Sequence, residues 1–175
     1  MEADPFYTEI GKTVDLSIIV GTEFIGDSLP NIPNWYSDFS RFKDNKKIPV
    51  EGELGRDPAG FFKPETNGTH IIGYQSDWTE VSLDPDTFLK YLKMEGLNHA
   101  IAYREKHQQN QLPGKETYIR HIKTLQQTGK KFDTDNYSKS FGYELEIYPK
   151  SNPYRKKLND SITFKVLYQG KPEPD

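Results

Sequence analysis

Apolar and polar side chains alternate from Val14 to Val20, where Val14, Leu16, Ile18 and Val20 fall on one side. That is the period of two of a half-buried strand, and Gly11 and Gly21 mark turns on either side of it. The same reading predicts short strands over residues 39–43 and 46–50, turning at Asp44-Asn45, and a hairpin of residues 61–64 with 69–75 folded about Asn67-Gly68. Residues 26–34, with two prolines, and 52–60, rich in Gly, Asp and Pro, read as loops.

The period changes at Asp84. This residue is a good N-cap, Pro85 suits the first helical position, Phe88, Leu89 and Leu92 line one face, and Gly96 offers a left-handed stop. Asn98 can cap a second, more polar helix that Leu112-Pro113-Gly114 breaks. A third helix is predicted from Glu116 towards Gly129, because Tyr118, Ile122 and Leu125 fall at i, i+4 and i+7. Residues 130–140 read as a linker, and residues 143–148 and 161–168 as strands.

The expected fold is therefore mainly β: an immunoglobulin-like antiparallel β-sandwich with a helical insertion of two to three helices at about residues 84–129. Residues 1–135 form the sandwich domain. Residues 136–175 hold a linker and two strands that cannot bury a core alone, so they either finish the first sheet or begin a second β domain.

The 175 residues suffice for one good core. Only 34% are hydrophobic, so the 13% that are aromatic must supply much of the buried area. A formal charge of −3 with both signs interspersed creates no field that would gather nucleic acid or an anionic membrane. The absence of Cys excludes disulfides, thiolate chemistry and Cys-ligated zinc. No apolar run approaches the roughly 18 residues of a membrane helix, so the chain is not expected to be membrane-embedded. Met1-Glu2-Ala3-Asp4 has neither the basic start nor the apolar stretch of a signal peptide, which implies either a cytoplasmic protein or one whose leader has been removed.

Candidate chemistry is sparse. No Gly-x-Ser-x-Gly, Walker loop, Gly-x-Gly-x-x-Gly or His-Glu-x-x-His is present, so the chain is expected not to be an enzyme. Of the four histidines none forms a chelating pair, and His99 and His107 would stand about 12 Å apart along a helix. The candidates for a nickel, cobalt or zinc site are His70, His99, His121 and Glu116, which the fold would have to bring together, as by setting His70 at the hairpin beside His121 or Glu116; otherwise they are ordinary surface or hydrogen-bonded groups. Glu116 and Arg120 read as a solvated i, i+4 helix pair. The functional alternative is that Tyr118, Arg120 and Lys123 face a cleft between helical block and sheet and hold an anion. Trp35, Tyr36, Tyr74 and Trp78 suit either a sugar-stacking platform or the core.

Residues 68–76, 88–97 and 113–125, followed by 143–149, Asn152-Pro153-Tyr154 and Gly170-Lys171-Pro172, resemble in order a bacterial exported family of unknown function. Its members are often labelled the periplasmic component of a cobalt or nickel ABC transport system. The resemblance implies a non-enzymatic periplasmic or exported binding protein, with nickel or cobalt as ligand and a membrane transporter complex as partner. Members typically carry an N-terminal histidine that this chain lacks. The alternative is a structural or interaction module of the cell envelope that binds another envelope protein or a glycan without a metal. The first reading requires converging histidines and carboxylates. The second requires scattered histidines and an exposed apolar patch.

Overall fold

A computed structural model describes residues 1–22, 25–43, 45–132 and 135–172. The elements run β1 (Glu2–Asp4), β2 (Tyr7–Thr8), β3 (Val14–Thr22), β4 (Ile25–Leu29), β5 (Tyr36–Lys43), β6 (Lys46–Pro49), β7 (Gly60–Phe62) and β8 (Gly68–Ser76). They continue with β9 (Thr79–Leu83), α1 (Pro85–Met94), α2 (Asn98–Lys106), β10 (Gly114–Tyr118), β11 (His121–Thr128), β12 (Leu145–Pro149), β13 (Phe164–Tyr168) and β14 (Lys171–Pro172). The chain divides into two compact units, residues 1–77 with 120–175, and residues 78–119.

In the first unit two sheets enclose the main core. One is organised on β3, which pairs antiparallel with β1, β4 and β7. The other has the order β2-β11-β8-β5-β6 and is antiparallel except for the β2–β11 pair. The expected alternation of β3 buries Val14, Leu16 and Ile18, which meet Phe39 from β5, Phe62 from β7, and Ile72 and Tyr74 from β8. Val20 escapes this core, because the far end of β3 pairs only with the exposed β4. The fold is thus the expected mainly β sandwich carrying a helical insertion.

β8 is buried along almost its whole length. Its inner face meets the β3 sheet through Ile72 and Tyr74, and its outer face carries Ile71 against Phe141 and Tyr143. Coverage on both sides explains why Ile71 and Ile72 stand side by side where a half-buried strand would alternate apolar with polar.

The second unit holds the helices. Thr87 N donates to the Asp84 carboxylate at 3.0 Å, so the predicted cap is present. α1 buries Phe88 and Leu92. Gly114 on β10 leaves no room for a side chain beneath the Phe88 ring, and the Arg104 guanidinium lies 5.0 Å from the centre of that ring. β9 and β10 pair antiparallel on either side of the helices in sequence.

Four expectations are corrected. The third helix is absent: residues 114–118 and 121–128 are β10 and β11. Its apparent helical stripe competed with an alternation in which Ile122 faces the core and Leu125 the opposite side, and β-branched residues such as Thr117, Ile122, Thr124 and Thr128 favoured the strand. The proposed hairpin of residues 61–64 with 69–75 also dissolves, since β7 pairs with β3 while β8 pairs with β5 and β11. Residues 26–34 are not all loop, because β4 forms an exposed ribbon with β3 whose glycines, Gly21 and Gly26, face each other. Without a third helix, Glu116 and Arg120 lose their i, i+4 relation. Asp44 of the predicted turn, residues 133–134 of the linker and residues 173–175 lie outside the described residues.

The two late strands pair with each other as β12 and β13, and β14 completes a three-stranded sheet. A buried Asn152 anchors this segment to the sandwich, its amide donating to the Thr69 hydroxyl at 2.7 Å. That hydroxyl in turn donates to Gln127 Oε1, also at 2.7 Å. Such fully partnered buried amides are stabilising where an orphaned one would not be.

Candidate functional site

The outer face of the β11-β8-β5 sheet carries a row of rings. His121 stacks on Tyr143 with centroids 5.3 Å apart, Tyr143 on Phe141 at 5.3 Å, and Phe141 meets the edge of Phe42 at 5.0 Å. Gly73 makes this layer possible. A Cβ there would come within 2.6 Å of the Phe141 ring and of the Tyr143 hydroxyl, so a bare backbone lets the rings lie close to the sheet. Tyr143 donates to Asp38 Oδ2 at 2.6 Å, and burial followed by that bond pushes its phenol well above the ordinary range.

Beside the ring row opens a cleft of about 540 Å³, walled by β11 on one side and by the β12–β13 hairpin on the other. Its lining is mainly apolar, with Ile71 and Leu125 on the sheet and Leu145, Ile147 and Phe164 on the hairpin. The volume falls in the range of ordinary ligand pockets. Tyr154 stands at one end, its hydroxyl 2.9 Å from the Leu125 carbonyl and 3.1 Å from that of Phe6.

Charge enters this wall at one place. Glu146 is 5% exposed and accepts from Ser140 Oγ at 2.7 Å, from Phe141 N at 2.8 Å and from the Tyr148 hydroxyl. Lys123 Nζ stands 3.5 Å from the same carboxylate and 3.6 Å from the centre of the Tyr148 ring. Burial pushes the Glu146 carboxyl up, but the three hydrogen bonds and the Lys123 charge outweigh it and hold it below the usual carboxylate range. Lys123 is also lowered, by burial first, which its long contact to Glu146 does not fully offset. The pair is therefore unequal: the carboxylate is solvated by the fold, and the ammonium less so. Burial also lowers His121, more than the charges of Glu144 and Glu146 raise it, which favours the neutral imidazole.

The predicted metal candidates are scattered. His70 lies on β8 opposite Gln126, and His121 on β11 opposite Gln75. His70 packs against Phe62 of the core side, whereas His121 stacks on Tyr143 of the outer side, so the sheet separates them. His99 is exposed on α2, and Glu116 on β10 accepts from the Tyr91 hydroxyl at 2.9 Å. Among the described residues no group of three His, Asp or Glu side chains is close enough to hold a metal ion.

The predicted anion group runs from the end of β10 into β11. Tyr118 ends β10 in the second unit, Arg120 is exposed at the start of β11, and only Lys123 lines the cleft. Of the aromatic platform, Tyr36 and Tyr74 pack into the main core with Phe39, while Trp35 and Trp78 are exposed. Sequence reasoning missed the hairpin side chains Leu145, Ile147 and Phe164. Alternation identified the strands but could not say which face would be covered.

Fold and cleft together define a mainly β sandwich with a helical insertion and an apolar cleft on its outer face. The chain belongs to the family described as a domain of unknown function (DUF4198), whose model matches residues 1–175. No curated protein and no solved structure matches it.

Proposed function

We propose that this chain is a non-enzymatic binding protein of the cell envelope that recognises an apolar segment of another envelope protein, rather than a metal ion. One observation carries the reading: the β12–β13 hairpin has its amphipathicity inverted. Its acidic residue Glu146 is buried, whereas Leu145, Ile147, Phe164, Val166 and Tyr168, which share the opposite face by register, are all exposed. A solvated hairpin normally does the reverse, and a contiguous apolar strip that continues into an apolar cleft is characteristic of an interaction surface. The strip extends beyond what a small molecule seated in the cleft would cover, which favours a protein ligand. Aliphatic walls with few hydrogen-bonding groups are poorly suited to a glycan.

The exported location and the link to nickel or cobalt uptake rest on the family resemblance. On this proposal any contribution to uptake would run through contact with a transporter component, without a metal held by this chain.

Site-specific photocrosslinking in the native host tests the proposal. A photoreactive residue at Ile147 or Phe164 is expected to give a discrete protein adduct, and one at the exposed Leu158, away from the strip, is not. Equal labelling at all three positions, or none at any, would refute it. Calorimetric titration with nickel and cobalt supplies the other arm: binding tighter than about 100 μM, roughly 5.5 kcal/mol, would return the chain to the metal reading.

A further inference from the structure

A second, polar cleft of about 360 Å³ lies at the end of β5 and the start of β8, lined among others by Arg41, Lys43, Glu65, Asn67, His70 and Lys131. Its least expected member is Arg41. This residue is 7% exposed, and its close partner is a ring: the guanidinium sits 5.1 Å from the centre of Phe62. Glu65, the carboxylate of the lining, is engaged by Lys43 at 2.7 Å. Glu65 and Glu51 act on Arg41 only through space, and burial outweighs both in lowering its basicity.

A guanidinium carries five N–H donors in a planar fork. The residue is mostly buried, but the nitrogens are not sealed from solvent: the fork meets the Phe62 ring on one side and opens to the cleft. Among the described residues the lining brings three cations, Arg41, Lys43 and Lys131, together with the carboxylate Glu65 and neutral amides such as Asn67. The described lining is thus positive on balance although the chain as a whole carries −3. It sits in a concave site where low-dielectric walls strengthen the attraction for an anion.

We infer that this cleft is a binding site for a small oxyanion, a carboxylate or phosphate group received by the Arg41 fork, with Lys131 supplying a second charge from the rim. The site is distinct from the apolar cleft. Arg41 faces the core side of the sheet with Phe62, whereas the cleft beside β11 lies on the outer side with Tyr143.

The test is a two-dimensional NMR titration of the whole chain at low ionic strength with sodium phosphate and, separately, sodium succinate, using sodium chloride as control. Saturable shifts centred on the Arg41 side-chain Nε–H are expected, with a Kd below about 1 mM for at least one anion. Tighter binding of phosphate would assign a phosphorylated ligand, and tighter binding of succinate a carboxylate. Arg41→Met keeps the bulk over Phe62 and removes the fork, so affinity should fall at least about tenfold. Lys131→Ala, at the exposed rim, should weaken it roughly two- to fivefold. Should Arg41→Met fail to fold, the Lys131→Ala and Lys43→Ala variants decide between the outcomes. No saturation with either anion up to about 20 mM, or wild-type affinity in Arg41→Met or in both lysine variants, would overturn the assignment. An Ile147→Asp change in the apolar cleft should leave this titration unaltered, which separates its failure from that of the hairpin surface.

Discussion

Removing the carboxylate of Glu146 should harm the protein far more than removing its cationic neighbour. In Glu146→Ala three donors, the Ser140 and Tyr148 hydroxyls and Phe141 N, lose their shared acceptor. The Lys123 ammonium, with a side chain 12% exposed, is left buried without its counter-charge. Breaking a buried pair in this way costs about 3–5 kcal/mol. In Lys123→Met, by contrast, Glu146 keeps all three hydrogen bonds and loses only the 3.5 Å contact. A thioether against the Tyr148 ring retains some of the packing. That change should cost about 1–2 kcal/mol, chiefly the lost cation–π contact.

At roughly 2–4 °C per kcal/mol for a chain of this size, Glu146→Ala should lower the melting temperature by about 6–20 °C and Lys123→Met by about 2–8 °C. Thermal and urea melts followed by circular dichroism at pH 7 measure both. The double variant should be more stable than Glu146→Ala alone, because it no longer buries an orphaned cation. Equal losses in the two single variants, or a double variant less stable than either, would show that the hydrogen bonds around Glu146 are not what holds the ring layer in place.

Three further outcomes follow from the same geometry. Gly73→Val would push Phe141 and Tyr143 off the sheet; a destabilisation of about 1–3 kcal/mol in urea melts, with loss of near-ultraviolet dichroism from the stacked rings, is expected. Acidification should destabilise in two stages. His121 has a folded pKa below its ordinary 6.5, so its contribution is complete above that value and falls away as pH drops through the folded pKa. Glu146, held below its ordinary 4.5, loses its contribution at lower pH still. Melts from pH 8 to 3 should show both stages, and His121→Phe, which keeps the stack on Tyr143, should abolish the first. In the second unit Gly114→Ala would overlap the Phe88 ring; hydrogen exchange should quicken in α1 while amides of β8 keep their protection.

Strands whose one face is covered were legible because burial leaves its mark on every second residue, as it does in β3. The helices α1 and α2 were legible from their stops and, for α1, from its cap. What failed was long-range pairing. Nothing in Phe61-Phe62 or Thr69-His70-Ile71 tells that their partners are β3 in one case and β5 and β11 in the other. The Tyr118, Ile122, Leu125 spacing satisfied a helix as well as a strand, because β11 must offer side chains to two opposite layers and so breaks strict alternation. Candidate sites suffered for the same reason. His70 and His121 are two residues of one sheet, and only register shows that they face opposite sides.

The exposed hairpin face sets a bound on how any partner must bind. Leu145, Ile147, Phe164, Val166 and Tyr168 are each roughly half exposed, so covering them completely should contribute about 1 kcal/mol apiece, near 5 kcal/mol in all. Association itself costs about 4–15 kcal/mol in lost freedom. The strip alone would therefore give at best a fleeting encounter, and a durable complex requires that the partner also fill the adjoining cleft floored by Ile71 and Leu125. Recognition should then be cooperative across the two surfaces. Closing the cleft from the sheet side, with Leu125→Trp, should abolish crosslinking even from Val166, which belongs to the strip but not to the cleft lining.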